Sequence, residues 1–127
     1  MKVTIHFLNG NDDSTQNHYL EKEYRNDVII EINNRFYEVY FFVAESMQYE
    51  MTKGGFFALP GLIVLDEITN EKIYNSINYL IDIRYFESFK GYDNIPYKDS
   101  FVNKWYVNTM SQFKPEAQSS YVLRTND

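Results

Sequence analysis

Apolar and polar residues alternate at the start of the chain, with Val3, Ile5 and Phe7 on one side and Lys2, Thr4 and His6 on the other. A two-residue period predicts a strand over residues 2–8. Residues 9–18 are polar and rich in Asn and Asp, the composition of a loop. Tyr19, Glu21 and Glu23 then alternate with Leu20, Lys22 and Tyr24, a weaker strand pattern over 19–24. The strongest signal follows. Residues 28–32, the pair Asn33-Asn34 and residues 35–44 read as a β-hairpin, because Asn tolerates the positive φ of a tight two-residue turn. The returning strand is apolar on both sides, with Phe36, Tyr40 and Phe42 on one and Tyr37, Val39, Phe41 and Val43 on the other. Only Glu38 interrupts it, which predicts a strand inside a sheet covered on both faces.

Residues 45–52 fit either an extension of that strand or a turn of helix, and Lys53-Gly54-Gly55 breaks the chain. Pro60-Gly61 opens the apolar run 62–65, predicted as a further buried strand. The main helix is predicted over about 70–84, with Thr69 as its N-cap and Glu71 at the positive end of its dipole. Ile73, Ile77, Leu80, Ile81 and Arg84 share one stripe of it, while Glu71, Lys72, Asn75, Asn78 and Asp82 face away. Residues 90–99 read as a loop around Gly91 and Pro96. Residues 100–112, carrying Phe101, Val102 and Trp105, fit a second helix capped by Asp99-Ser100 or a strand, and Tyr121-Val122-Leu123 suggests an edge strand. The expectation is one α+β domain over 1–127: a mainly antiparallel sheet with the 70–84 helix packed on it and the 100–112 segment as a second helix or strand.

Composition narrows the chemistry. The 127 residues contain no cysteine, so disulfides and thiolate metal sites are excluded. Aromatic residues make up 18%, with 12 Tyr and 10 Phe, which suits a sheet surface or a contact surface. The net charge is −6 and is unevenly spread. Residues 1–51 hold nine acids against four bases, and residues 52–127 hold nine against eight. That bias argues against a nucleic-acid partner, which needs a basic patch, and favours a basic protein partner. No apolar run approaches the roughly 20 residues that span a bilayer, and the first residues lack the apolar core of a secretory leader, so the expected location is the cytoplasm.

The catalytic inventory is thin. His6 and His18 make no local metal motif, and Lys53-Gly54-Gly55 lacks phosphate-loop spacing. Asp66-Glu67 lies at a predicted strand end, but neighbours on a strand point to opposite faces, which separates the two carboxylates. Asp12-Asp13 lacks the repeated ligands of a calcium loop. No enzyme activity, cofactor or metal is therefore expected. What stands out is an acidic set with tyrosines nearby: Glu21, Glu23, Asp27, Glu31, Glu38, Glu45 and Glu50, with Tyr19, Tyr24, Tyr37, Tyr40 and Tyr49. Acids rimming aromatics form the kind of surface that masks a basic site on a partner.

The stretch Gly61-Leu62-Ile63-Val64-Leu65-Asp66-Glu67-Ile68-Thr69, the helix to Arg84 and Tyr85-Phe86-Glu87-Ser88-Phe89 together resemble the strand–helix–aromatic layout of small bacterial immunity proteins of polymorphic and contact-dependent-inhibition toxin systems. The resemblance covers about residues 28–93 and implies a cytoplasmic inhibitor that binds the C-terminal domain of a cognate toxin, often a nuclease, and occludes its active site. It carries no motif that assigns contact residues. The alternative expectation is a non-enzymatic small ligand-binding or structural protein, phage-encoded, with aromatics lining a pocket.

Overall fold

The computed structural model describes residues 2–93 and 120–124. The 100–112 segment lies outside the described residues. Five strands form one sheet in the order β4-β3-β2-β1-β5: β1 (Val3–Phe7), β2 (Tyr24–Ile32), β3 (Arg35–Val43), β4 (Leu62–Leu65) and β5 (Ser120–Arg124). Every pairing is antiparallel except β3–β4, which is parallel. Among the described residues three α-helices complete the α+β fold: α1 (Asp13–Lys22), α2 (Ala44–Met51) and α3 (Asn70–Asp82).

The hairpin turns at Asn33 and Asn34 with φ of 50° and 64°, the left-handed pair that a two-residue turn requires. Register then sorts the side chains. Val3, Ile5 and Phe7 oppose Ile32, Ile30 and Val28, and Val28 and Ile30 oppose Val39 and Tyr37. This face carries the core, completed by Ile73, Ile77 and Ile81 of α3, by Tyr19 of α1 and by Phe86. The α3 stripe is as predicted except at Arg84. The helix ends at Asp82, and Arg84 takes φ 60° with its side chain in solvent. Thr69 caps α3, its hydroxyl accepting from the Lys72 N–H at 3.3 Å.

The polar stretch predicted as a loop contains the start of α1, and of the weak strand expected over 19–24, residues 19–22 are the last turn of α1, Glu23 its C-cap and Tyr24 the start of β2. Asp12 caps the helix, its carboxylate accepting from the backbone N–H and the hydroxyl of Thr15, both at 2.8 Å. Glu23 ends it in the left-handed conformation, φ 63°. Of ten residues in α1 only Tyr19 is buried, so no apolar stripe advertised the helix. Its anchor is tertiary: Arg25, on the core face of β2, lies between the rings of Phe7 and Tyr19, at 4.3 and 4.5 Å from their centroids.

Two other expectations need correction. Strand β2 begins at Tyr24, four residues before the apolar run, and a bulge between Arg25 and Val28 absorbs the polar residues. Strand β4 is not buried but an edge strand, with half-covered side chains and Val64 52% exposed. Residues 45–52, left open by the sequence, are α2 and its C-cap Thr52. Strand β3 lies between β2 and β4 as predicted for an internal strand.

Candidate partner-binding surface

The topology gathers charge at one end of the sheet. Strands β3 and β4 run parallel and finish together, Val43 opposite Leu65. Strand β2 runs antiparallel and starts there, and the Glu23 carbonyl accepts the Val43 N–H at 2.9 Å. The residues just beyond these three strand ends therefore lie at the same end of the sheet: Glu21 and Glu23 from the end of α1, Glu45 from the first turn of α2, and Asp66 and Glu67 after β4. All five are exposed. The nearby bases are partly engaged, Lys72 with Asp66 at 3.3 Å and Lys53 with Glu50 at 3.1 Å.

Aromatic surface lies beside these acids. Tyr24, Phe42 and Val64 form one cross-strand row on the face opposite the core, Tyr24 and Phe42 stacking at 5.7 Å. Phe57 meets Phe42 edge-on at 5.0 Å. Its neighbour Phe56 is 75% exposed, and Tyr49 on α2 is 66% exposed. Lys53 sits over the Tyr49 ring at 5.1 Å.

Of the residues expected to bind a partner, Glu21, Glu23, Glu45, Tyr49 and Glu50 belong to this α1–α2 end. Glu31, Glu38 and Tyr40 point instead from the non-core sheet face, away from that end, and are half-buried. Tyr37 faces the core side and packs on Phe86 at 5.3 Å. Asp27 is removed from any surface. Its side chain is 0% exposed and bonds Arg25 Nε at 2.7 Å and the Asn9 backbone N–H at 3.0 Å. An acid in the sequence pattern here neutralises a buried base. Conversely, Asp66 and Glu67, set aside on the sequence as a solvated strand end, join the exposed cluster because β4 is parallel to β3. That pairing had no signal in the sequence.

Sequence spacing also missed a polar trio. On the non-core face His6 opposes Ser120 of β5, and Glu31 sits diagonally across on β2. His6 Nδ1 lies 2.7 Å from Ser120 Oγ and Nε2 lies 2.8 Å from Glu31 Oε1, with Phe36 against the ring at 6.0 Å. Acid, imidazole and hydroxyl are connected as in a nucleophile relay. Neither of the two described cavities includes these residues. As built, the trio ties three strands together across the sheet.

Among the described residues no group of three or more His, Asp or Glu side chains is placed to hold a metal ion. No helix among them is long and apolar enough to cross a membrane. No family model matches the chain, and neither a curated protein nor a solved structure matches it.

Proposed function

We propose that this protein is an immunity-type inhibitor acting in the cytoplasm, which binds the catalytic domain of a cognate toxin and covers its basic active site. The observation that carries the reading is the convergence of Glu21, Glu23, Glu45, Asp66 and Glu67 at one sheet end beside the exposed rings of Phe56 and Tyr49. Exposed aromatics supply binding energy at the centre of an interface, while acids around them steer a basic partner and fix its orientation. The expected mode is stoichiometric occlusion.

The test is co-expression with the protein encoded immediately upstream, followed by affinity capture and a growth assay. A stable one-to-one complex and rescue from toxicity support the reading; neither complex nor rescue ends it. The second reading, a small-molecule binder, is favoured by one observation, the aromatic cavity at the edge of β3.

A further inference from the structure

Strand β4 closes one side of the sheet, and among the described residues no strand pairs with its outer edge. The Tyr40 N–H donates to the Gly61 carbonyl at 2.9 Å, so the backbone of Gly61 faces β3. Direction alternates along a strand, so Ile63 and Leu65 also face β3, while Leu62 and Val64 turn outward. The Leu62 N–H is used locally, donating to the Leu59 carbonyl at 3.3 Å. The Leu62 carbonyl and both backbone groups of Val64 are left directed away from the sheet. Val64 is 52% exposed.

Such an edge is a template for another strand, and proteins blunt it with a charge, a proline or a bulge. Residues 62–65 are Leu-Ile-Val-Leu, pair with β3 in unbroken register and carry none of these. Strand β5, on the opposite side of the sheet, ends on Arg124. Charge lies instead at the two ends of β4, with opposite signs. Asp66 and Glu67 follow the strand, both exposed. Beside its start stands Lys90, which lines one cavity together with Leu59, Pro60 and Gly61. Lys90 is exposed and has no carboxylate partner among the described residues.

An apolar strand with an acidic end and a basic end is complementary to itself when run antiparallel. We propose that two copies of this chain pair through β4, antiparallel about a two-fold axis at Val64, to form one continuous sheet. Val64 of each copy exchanges both backbone bonds with Val64 of the other. The Leu62 carbonyl accepts from the Asp66 N–H of the other copy, and Glu67 comes alongside Gly61 and Lys90 of that copy. A foreign strand could use the same backbone groups. Self-pairing in addition matches acid to lysine at both ends, as a two-fold interface requires of one patch. The contact is small, so the dimer is weak, in the micromolar range. The pairing does not rest on the partner reading above.

The experiment is sedimentation velocity on the full chain over a concentration series, with amide exchange followed by NMR at the two extremes. Association is expected to rise with concentration to a dimer and stop there. The Val64 N–H should gain protection in the dimer, while those of Ile63 and Leu65, directed at β3, change little. Val64→Pro removes the outward donor, and Val64→Lys sets two charges on the axis. Each is expected to weaken dimerisation about tenfold or more. Glu67→Lys and Lys90→Glu should each weaken it, and the two together restore it. A monomer at every concentration, Val64 exchange that ignores concentration, or wild-type association in both Val64 variants overturns the proposal. So does a charge swap whose losses add instead of cancelling. The wild-type measurements stand even if a variant misfolds. A monomer with Val64 protected throughout assigns the edge to another segment of the same chain.

Discussion

Arg25 is the residue on which most of one corner depends. Its side chain is 1% exposed, yet its donors are engaged: Nε and Nη2 to Asp27 at 2.7 and 3.2 Å, Nη1 to Asn11 at 2.7 Å and Nη2 to the Gly10 carbonyl at 2.8 Å. These bonds hold the turn between β1 and α1 against β2. Removing one member of a buried ion pair strands the other, so Asp27→Ala is expected to cost about 3–5 kcal/mol in urea denaturation. Exposed pairs such as Arg84–Glu87 should contribute well under ~1 kcal/mol by the same measurement. Tyr19 covers the guanidinium, and its hydroxyl is pushed up to about 12 from 10.0, first by burial and then by the Asp27 charge. The folded state therefore holds the phenol proton more tightly than the unfolded chain. Stability from this group is full below pH 10, the unfolded value, and is lost as pH rises through about 12. The linked loss is about 2–3 kcal/mol. Denaturation midpoints measured from pH 9 to 12 should fall more steeply for the wild type than for Tyr19→Phe; parallel slopes would count against this account.

At the level of elements, the parallel β3–β4 pair depends on one glycine. Gly61 has φ +80°, and a Cβ there would meet the Glu38 carbonyl oxygen at 2.4 Å, a backbone atom that cannot yield cheaply. Gly61 also accepts the Tyr40 N–H through its carbonyl at 2.9 Å, which starts the ladder. Gly61→Ala is thus expected to destabilise by about 2 kcal/mol or more, from left-handed strain plus steric displacement of β4. Faster amide exchange at β4, measured against unchanged exchange in β1 and β2, would locate the damage. The cap of α3 is a milder case, and Thr69→Ala should cost about 1 kcal/mol by thermal or urea unfolding. The α3 stripe, its cap and the Asn33-Asn34 turn were readable because each depends on nearest neighbours. Helix α1 was not, since its stability comes from Tyr19 packing on Arg25 rather than from an amphipathic pattern of its own.

For the whole molecule, the consequence is an uneven electrostatic field. Among the described residues, Glu21, Glu23, Glu45, Asp66 and Glu67 lie at one end, with Lys22, Lys53 and Lys72 the bases nearest them in sequence. Steering by such a field acts on association rate and fades with salt. If the proposed inhibitor role holds, the double variant Glu23→Lys with Glu45→Lys is expected to slow association with the basic partner about tenfold at low ionic strength and to flatten its salt dependence. Stopped-flow mixing would measure both. Glu31→Lys, on the sheet face beside His6, should change the rate much less; an equal effect would move the contact surface to that face.

Local physics alone determined much of this protein. The period of two in β1, the asparagine turn, the isoleucine stripe of α3 with its threonine cap, the absence of cysteine and the acidic N-terminal bias all follow from residues close together in the chain. Tertiary structure decided what those residues do. It buried Asp27 on Arg25 and so removed one expected contact. It made β4 a parallel edge strand, bringing Asp66 and Glu67 to the same sheet end as Glu23 and Glu45, and it placed His6 between Glu31 and Ser120 and left Glu38 with one buried, unpaired oxygen. Each of these depends on pairing between distant segments, and the residues concerned look the same in sequence whether they end up in solvent, in a network or in a pocket.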